Sequence, residues 1–216
     1  MIFEMTEHTV MEETGKEGCA VCGRFYIDNN IWRGLPETVE CRIPDRIAEM
    51  RMDIVPSQQP PVLRLQSERM LLEPMRWGLP GTDKKLLINA RAETVLERPM
   101  FRESFLYRRL IIPAAGFYEW SAAKEKAEFT RPDADAMFLA GFYNLYGGEN
   151  RFIILTVPAN ISVSPVHDRM PLILEPGVLE KWLYSTPEAE RMLGNTMPPL
   201  ARRQEYEQQS FFSLLQ

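Results

Sequence analysis

The cysteines are the residues whose placement is hardest to explain by packing alone. The chain has 216 residues and three cysteines, and only two residues separate Cys19 from Cys22 in the stretch GCAVCGRFYID. Three interpretations of this pair are open: a metal or redox CxxC motif, buried thiols without chemistry, and a nucleophile that acts once it is the N-terminal residue. An odd number of cysteines in a chain of this size does not build a disulfide framework, so we expect free thiols.

A metal or redox site at this pair would need further residues. Structural zinc takes four ligands, and after residue 22 the chain adds only Cys41 and His167 to its cysteines and histidines, with no second CxxC. A thioredoxin-like motif opens a helix in a βαβ unit, whereas Cys22 opens the strand-like sequence CGRFYI. We therefore predict that the chain holds neither a metal nor a cofactor.

Glu119 is a candidate acid or base, because it stands in an apolar stretch between Tyr118 and Trp120. If its carboxylate faces a pocket, burial raises its pKa and makes it a usable general acid. Neighbouring side chains on a strand point to opposite faces. The alternative is therefore that the two aromatic rings face inward and Glu119 faces water, and both arrangements are open.

His167 and Asn89 are further candidates. His167 is one of two histidines and lies where a proline-containing turn meets the strand-like PLIL, a position where catalytic groups often occur; a structural role is the alternative. Asn89 ends the stretch KKLLIN and can hydrogen-bond a substrate or cap a helix that begins near Ala92.

The elements that must position these residues are mostly strands. Alternating, β-branched and aromatic segments predict strands at 22–27, 62–66, 70–78, 86–89, 109–112, 115–121, 136–145 and 151–157. Helices are predicted within 35–53, at 92–105 with a break at Pro99, and at 176–184 and 187–193. Strands that follow one another without regular intervening helices favour an α+β fold with a curled, mostly antiparallel and barrel-like sheet flanked by helices.

Composition indicates one globular domain. The chain is 45% hydrophobic, enough to fill a core, and no stretch has the length of apolar residues that a membrane span needs. The first 20 residues carry five acids and one lysine, so the net charge of −5 leaves the remaining chain at −1. This leader is unlike a signal peptide, and we expect a cytoplasmic protein. Arginines cluster around particular motifs, which is compatible with a local basic groove.

Five short motifs occur in order along the chain: CGRF, MRWGLP, NARAETVLERPMFRESF, RRLIIPAAGFYEW and PVHDRMPLIL. Together they resemble the signature motifs of the SRAP family, the SOS response-associated peptidases, which act as abasic site processing proteins. The resemblance runs from residue 22 to about residue 184 and implies a compact α+β domain. It also implies a function, because members of this family bind single-stranded DNA that carries an abasic site and attach to it through an N-terminal cysteine.

The resemblance assigns roles to residues of this chain. Cys22 is implied as the nucleophile, whose α-amine and thiol condense with the aldehyde of the opened sugar to form a thiazolidine. Asn89 is implied to hydrogen-bond the opened sugar or the reacting amine, and Glu119 to donate and accept protons. His167 is implied to orient or protonate the sugar hydroxyl. A thiol autopeptidase activity, which removes residues before the cysteine, is implied as well.

The expected partner is single-stranded DNA containing abasic sites, bound by a monomer that has no membrane contact. Arg24, Arg91 and Arg169 are the candidate phosphate ligands, and Trp77 is the candidate for stacking on a base or forming a wall of the site. Arginine and tryptophan beside a motif also often only pack, so that interpretation stays open for each of them.

The first 21 residues depart from the family pattern, in which Met directly precedes the cysteine. Cys22 follows Val21, and an internal cysteine has no α-amine, so it cannot form a thiazolidine. Cleavage after Val21, loss of activity and a translation start at Val21 are the three explanations. We favour the start at Val21, because GUG encodes valine and also initiates translation in bacteria. In addition, codons for residues 16–18 can spell a ribosome-binding sequence. The mature domain is then 22–216, and residues 1–21 are a leader that is not part of the mature protein.

Two other functions are open. A chain that keeps the DNA groove but has lost the crosslink is a non-catalytic single-stranded DNA-binding protein. A cysteine and a histidine can also form a dyad that cleaves peptide bonds, which would make the chain a cysteine peptidase.

Overall fold

The computed structural model describes residues 10–11, 22–41, 51–81 and 85–204. The fold is a single α+β domain with mostly antiparallel strands and few helices, which confirms the predicted fold class. Over the described residues the sheets are open and do not close into a barrel.

Strands make up most of the fold. They are β1 (Val10–Met11), β2 (Arg24–Ile27), β3 (Glu40–Cys41), β4 (Met52–Ile54), β5 (Pro61–Gln66), β6 (Arg69–Pro74), β7 (Arg76–Trp77), β8 (Leu79–Pro80), β9 (Leu86–Leu87), β10 (Asn89–Arg91), β11 (Arg109–Ala114), β12 (Gly116–Trp120), β13 (Lys126–Thr130), β14 (Met137–Tyr146), β15 (Glu149–Pro158), β16 (Arg169–Pro171), β17 (Ile173–Leu174) and β18 (Ala201–Gln204).

The strands of the described residues form three sheets. The large sheet has the order β10-β15-β14-β11-β5-β6-β3, and β7, β16 and β17 add to its β15 and β14 strands. The five-stranded sheet has the order β18-β13-β12-β2-β4, and a small sheet has the order β1-β9-β8. Strands β11 and β12 are consecutive in the chain but belong to different sheets, so the chain passes from the large sheet to the five-stranded one at Ala115.

The core lies between the large sheet and one face of the five-stranded sheet, which we call its inner face. Phe25, Phe117 and Phe129 project from the inner face and are fully buried. The ring of Phe25 lies 5.2 Å from that of Trp77, which stacks 6.2 Å from Phe152 of the large sheet. The opposite, outer face of the five-stranded sheet carries Tyr26 and Tyr118 in a separate cluster.

Among the described residues, the helices α1 (Pro99–Tyr107) and α2 (Leu179–Tyr184) pack on the large sheet, and α3 (Thr186–Met192) packs on α2. The buried guanidinium of Arg109 caps the C-terminal ends of α1 and α2. It donates hydrogen bonds to the carbonyl oxygens of Phe105 and Leu106 at 2.9 and 2.7 Å, and to those of Trp182 and Leu183 at 2.7 and 3.3 Å. The last carbonyl groups of a helix have no partner within the helix, so one side chain caps both α1 and α2.

The predicted helix within 35–53 is wrong where the structure describes it. Residues 40–41 form β3, which pairs with β6, and residues 52–54 form β4, which pairs with β2; residues 42–50 lie outside the described residues. Pairing with neighbouring strands overrides a weak helical preference here. Strands β13 and β18 were not predicted, because their sequences KAEFT and ARRQ contain few apolar residues. The break at Pro99 is confirmed, because this proline begins α1.

No helix of the described residues is long and apolar enough to span a membrane.

Candidate active site

The carboxylate of Glu119 is fully buried on the inner face of the five-stranded sheet. It shares that face with Phe117, two residues earlier on β12, and lies opposite Ala127 of β13. The small side chain of Ala127 leaves room for the carboxylate. Of the two arrangements that the sequence left open, the structure therefore shows the one in which Glu119 faces the protein interior.

The aromatic neighbours of Glu119 explain this direction. Tyr118 projects to the outer face, where its ring lies 5.4 Å from that of Tyr26, and the Nζ atom of Lys126 lies 3.9 Å from its centre. Trp120 is partly buried against the same cluster. Because both rings have partners on the outer face, alternation along β12 places Glu119 on the inner one.

Cys22 lies directly against Glu119. The backbone N–H group of Cys22 donates a hydrogen bond to Oε1 of Glu119, although 97 residues separate the two in the sequence. Cys22 has a φ of +47°, which places it in the left-handed region that residues other than glycine rarely occupy. The contact therefore holds the nitrogen of Cys22, the atom that an N-terminal cysteine would present as its α-amine, against a buried carboxylate.

The thiol of Cys22 is kept in its protonated form. Burial, and then the negative charge of Glu119, raise the pKa of this thiol well above its ordinary value. Cysteine reacts as the thiolate, so the thiol is a poor nucleophile at neutral pH in the full chain.

Asn89 and Arg91 lie on β10, at the edge of the large sheet. Strand β10 runs parallel to β15, with Asn89 opposite Ile154 and Arg91 opposite Thr156. The side-chain oxygen of Asn89 is buried. The 3-10 turn at Ala92–Thr94 has Arg91 as its N-terminal flanking residue and no side-chain cap, so Asn89 does not have the capping role that the sequence left open.

His167 lies just before β16, on the other side of β15. Its Nδ1 atom accepts a hydrogen bond from the backbone N–H of Arg169 at 3.1 Å and is also 3.1 Å from a carboxylate oxygen of Asp168. The first contact needs a lone pair on Nδ1 and the second needs a proton. The backbone contact prevails because the Asp168 side chain is 86% exposed and its charge is screened by water. An imidazole ring that accepts a hydrogen bond at Nδ1 presents its N–H at Nε2.

A partly exposed ion pair, between Glu93 and Arg169, ties the segments of Asn89 and His167 together. The guanidinium of Arg169 binds both carboxylate oxygens of Glu93, at 2.5 and 2.9 Å, and donates to the carbonyl oxygen of Thr156 at 2.7 Å. The hydrogen bond from Arg169 is the main cause that lowers the pKa of Glu93. Glu93 follows β10 and Arg169 begins β16, so the pair clamps both strands onto β15.

The proposed DNA ligands lie in different surroundings. The Arg169 side chain is only 10% exposed and already has acceptors in Glu93 and Thr156. Trp77 is fully buried and donates from Nε1 to the carbonyl oxygen of Ile88 at 3.0 Å, so it has no ring face open to a base. Arg24 is 38% exposed on the outer face, 3.7 Å from Asp53, with its guanidinium 5.7 Å from the centre of the Trp120 ring.

The structure thus brings the candidate residues into two groups. Cys22 and Glu119 touch directly, while Asn89 and His167 flank β15. Trp77 connects the groups, because its ring contacts Phe25 near Cys22 and its nitrogen binds Ile88 next to Asn89. Glu93 is the residue that sequence reasoning missed; its only signal is its place inside the motif NARAET.

Within the described residues, no group of three or more histidine, cysteine, aspartate or glutamate side chains is arranged to hold a metal ion.

Comparison with known proteins gives a consistent match. The model of the family described as SOS response associated peptidase (SRAP) matches residues 21–209. The chain is 33% identical over 146 residues to the abasic site processing protein YoaM of Bacillus subtilis, which covers 61% of this chain and 64% of YoaM, just under two thirds of that protein. It is 32% identical over 176 residues to the abasic site processing protein YedK of Escherichia coli, covering 76% of this chain and 79% of YedK.

Solved structures share the fold. A phage-related protein from Bordetella bronchiseptica superposes with a TM-score of 0.70 at 23% identity, over 85% of this chain and 93% of that one. A protein from Bacteroides thetaiotaomicron superposes with a TM-score of 0.69 at 21% identity, over 85% of this chain and 91% of that one.

The buried state of Cys22 predicts slow alkylation in the folded full chain. Iodoacetamide attacks thiolates, so at pH 8 we expect Cys22 to be modified at least about tenfold more slowly than Cys41, which is exposed. Because its pKa is raised, the rate at Cys22 should still be rising above pH 9, the ordinary pKa of the thiol. Mass spectrometry of the digested protein measures both sites, with unfolded protein as the control. Equal rates at Cys22 and Cys41 in the folded chain would contradict the described burial.

The Glu93–Arg169 pair predicts a pH-dependent effect of Glu93→Gln. Since the pKa of Glu93 in the folded chain lies below its ordinary value of 4.5, the pair stabilises the fold above that value and ceases to do so as the pH falls through the lowered pKa. The Glu93 side chain is 43% exposed, so the loss at pH 7 should be only about 1 kcal/mol.

Urea unfolding at pH 7 and at acid pH measures the free energy of unfolding of both proteins. We expect a gap at pH 7 that closes in acid, and Glu97→Gln, a change in the same segment, serves as the control. A gap that stays constant with pH would show that the pair does not act through the charge of Glu93.

Proposed function

Because the chain belongs to the SOS response associated peptidase (SRAP) family, we propose that it processes abasic sites in DNA, as the names of its relatives YoaM and YedK describe for those proteins. In this proposal the protein, a monomer in the cytoplasm, binds single-stranded DNA and attaches covalently to the abasic site through Cys22. The observation that carries the proposal is the nitrogen of Cys22 held against the buried carboxylate of Glu119.

The chemistry needs an amine and a thiol on one residue. An abasic deoxyribose opens to an aldehyde, and the α-amine of an N-terminal Cys22 adds to its carbonyl carbon to give a carbinolamine. Loss of water from this adduct gives an imine. The thiol then adds to the imine carbon and its proton passes to the nitrogen, which closes a five-membered thiazolidine. One water molecule is released in total and nothing is oxidised or reduced. Ring closure within one residue has a large entropic advantage over attack by a separate thiol.

Glu119 would move the protons of this sequence. Its carboxylate can take a proton from the α-ammonium, which frees the amine for attack, and can return that proton to the hydroxyl group that leaves as water. Proton transfer by a positioned side chain accelerates such steps by about 10² to 10⁴. Burial favours this role, because the carboxylate is already in place and exchanges its proton with the reacting nitrogen rather than with bulk water.

The other residues would position the substrate. Asn89 would hydrogen-bond the opened sugar or the amine, and the Nε2–H of His167 would donate to a sugar hydroxyl. Arg24 and Arg91 would contact phosphates. The contacts of Arg169 support a role as a positioning residue for His167 instead of a phosphate ligand. Of the two roles predicted for Trp77, its contacts support the wall of the site and not the surface for base stacking.

The active chain would begin at Cys22. Only an N-terminal cysteine has an α-amine, so residues 1–21 must be absent from the reactive form. The match to the family begins at residue 21, directly before Cys22, which supports a start of translation at Val21 or a cleavage after it.

The same contact supports self-cleavage as a second activity. The thiol of Cys22 would pass its proton to Glu119 and add to the carbonyl carbon of Val21, the bond from that carbon to the nitrogen of Cys22 would break, and the nitrogen would take up that proton from Glu119. The resulting thioester would be hydrolysed by water, which releases residues 1–21 and restores the thiol. The hydrogen bond from the Cys22 nitrogen to Glu119 and the unusual φ of Cys22 favour this reaction.

The proposal is tested with two chains and one substitution. The full chain and a chain that starts with Met followed by Cys22, whose Met the host removes, are each prepared with and without Cys22→Ala. Each protein is incubated with a single-stranded oligonucleotide containing an abasic site and is analysed on a denaturing gel. We expect a heat-stable crosslink from the shortened chain with Cys22, and from the full chain only to the extent that it has lost residues 1–21, because the crosslink needs both the α-amine and the thiol.

The other outcomes separate the alternatives. DNA binding that is lost on denaturation in every chain would contradict the crosslink and identify a non-catalytic DNA-binding protein. A crosslink by the full chain, accompanied by a mass loss that corresponds to residues 1–21, would show self-cleavage. A stable crosslink that survives Cys22→Ala would exclude the thiazolidine.

A further inference from the structure

The outer face of the five-stranded sheet carries tyrosines that are covered by cations. Tyr26 and Tyr118 are 3% and 4% exposed although they point away from the main core. The guanidinium carbon of Arg51 lies 3.7 Å from the centre of the Tyr26 ring, and the Nζ atom of Lys126 lies 3.9 Å from the centre of the Tyr118 ring. Each ring therefore fixes a positive charge in place.

Gly116 allows the Tyr26 ring to lie this close to the sheet. A Cβ atom at this position would be 2.6 Å from Cε1 of Tyr26 and 2.7 Å from the carbonyl oxygen of Phe129. The absence of a side chain at Gly116 thus lets the Tyr26 ring lie flat on β12, with Arg51 above it.

A recess of about 310 Å³ opens beside these rings. Its lining residues are Arg51, Tyr118, Lys126, Glu128 and Arg203. Burial raises the pKa of Glu128, but hydrogen bonds from Tyr26 and Arg51 outweigh this effect and lower it below its ordinary value, so the carboxylate is charged at neutral pH. Three cations against one carboxylate leave the lining with an excess of two positive charges.

Lys126 and Arg203 account for this excess. Arg51 is paired with Glu128 at 2.9 Å and accounts for the one negative charge. In the part of the chain that the structure describes, no carboxylate lies within ion-pair distance of Lys126 or Arg203, although the charge of Arg203 also helps to lower the pKa of Glu128, which lies opposite it. A contact with an aromatic ring leaves the charge of an ammonium group available to an anion. If the charged residues of the recess served only to hold the sheet together, each positive charge would need a negative partner. The two surplus positive charges beside an open recess therefore indicate an anionic ligand.

The recess lies behind Cys22 and Glu119 on the same strands. The register places Arg203, Glu128, Tyr118 and Arg24 side by side across β18, β13, β12 and β2. Three strand spacings give this row a length of about 14 Å. Tyr118 directly precedes Glu119, and Arg24 is two residues after Cys22. Arg24 therefore stands between the reactive end of the sheet and the recess.

We propose that this recess is a phosphate-binding subsite for the DNA strand that flanks the nucleotide at Cys22. The strand leaves the inner face at the end of the sheet where β2 begins, passes Arg24, and places a phosphate between Lys126 and Arg203. The inference rests on the proposed function for the identity of the polyanion. A row of about 14 Å accommodates a few nucleotides, at the rise of about 3.4 Å per nucleotide of a stacked strand. The subsite therefore acts on long strands and not on the nucleotides next to the abasic site.

The test compares two double variants of the chain that begins at Cys22. Lys126→Gln with Arg203→Gln removes the two surplus charges of the recess. Arg102→Gln with Lys181→Gln removes two exposed charges from α1 and α2 and is the matched control. Binding is measured over a range of salt concentrations, with single strands of about 20 and about five nucleotides that contain a non-reactive abasic analogue. Crosslinking is measured with a short reactive strand.

We expect the recess variant to bind the long strand about three- to tenfold more weakly and to lower its salt slope by about 0.7, the value for one lost phosphate contact on a single strand. Its binding of the short strand and its crosslinking of the short reactive strand should be unchanged, and the control should keep the salt slope of the unsubstituted protein. An unchanged slope in the recess variant, or an equal decrease in the control, overturns the inference.

The proposed function and the subsite fail in different ways. If the unsubstituted protein crosslinks DNA while the recess variant keeps its slope, only the subsite is wrong. If the protein binds the long strand with the expected difference but forms no crosslink, only the covalent chemistry is wrong. Saturable binding of inorganic phosphate that Lys126→Gln with Arg203→Gln abolishes, without an effect of strand length on DNA binding, identifies a site for a free anion and overturns the subsite for DNA.

Discussion

The contact between the nitrogen of Cys22 and the carboxylate of Glu119 is the interaction on which the rest of the site depends. A carboxylate removed from water needs a hydrogen-bond donor, and the fold supplies a backbone N–H from a residue 97 positions away. The contact also affects Cys22 itself. The backbone of Cys22 is in the left-handed conformation where it binds the carboxylate, and its thiol is buried and has a raised pKa. The full chain therefore presents a nitrogen that is placed for chemistry and a sulfur that is not yet reactive.

The two faces of the five-stranded sheet carry different kinds of residues around this contact. The inner face holds Glu119 among phenylalanines, while the outer face holds tyrosines covered by Arg51 and Lys126. On the large sheet, the pair formed by Glu93 and Arg169 fixes the strands that carry Asn89 and His167. The positions of the polar groups are thus set by strand alternation and by ion pairs between distant segments, with the helices only supporting the large sheet.

Local patterns predicted most of this fold, and long-range contacts account for the failures. The alternating segments at 109–112, 136–145 and 151–157 are strands, and the family inferred from five motifs is confirmed by the match over residues 21–209. The helix predicted within 35–53 is wrong at 40–41 and 52–54, because β3 and β4 form there by pairing with strands elsewhere in the chain. The direction of Glu119 depends on which face packs on the large sheet. The sequence could not separate a phosphate ligand from a clamp at Arg169, because its partner Glu93 is 76 residues away.

The rate of crosslinking by Glu119→Gln, in the chain that begins at Cys22, tests the central role of the carboxylate most directly. Glutamine keeps the shape and a hydrogen-bond acceptor for the nitrogen of Cys22 but cannot take or return a proton. The rate should fall by at least about 10², while the free energy of unfolding and the binding of a non-reactive abasic strand stay close to those of the unsubstituted protein. A rate within about threefold of the unsubstituted protein, well short of that effect, would show that Glu119 positions Cys22 without moving protons and would contradict its role as the acid and base of the reaction.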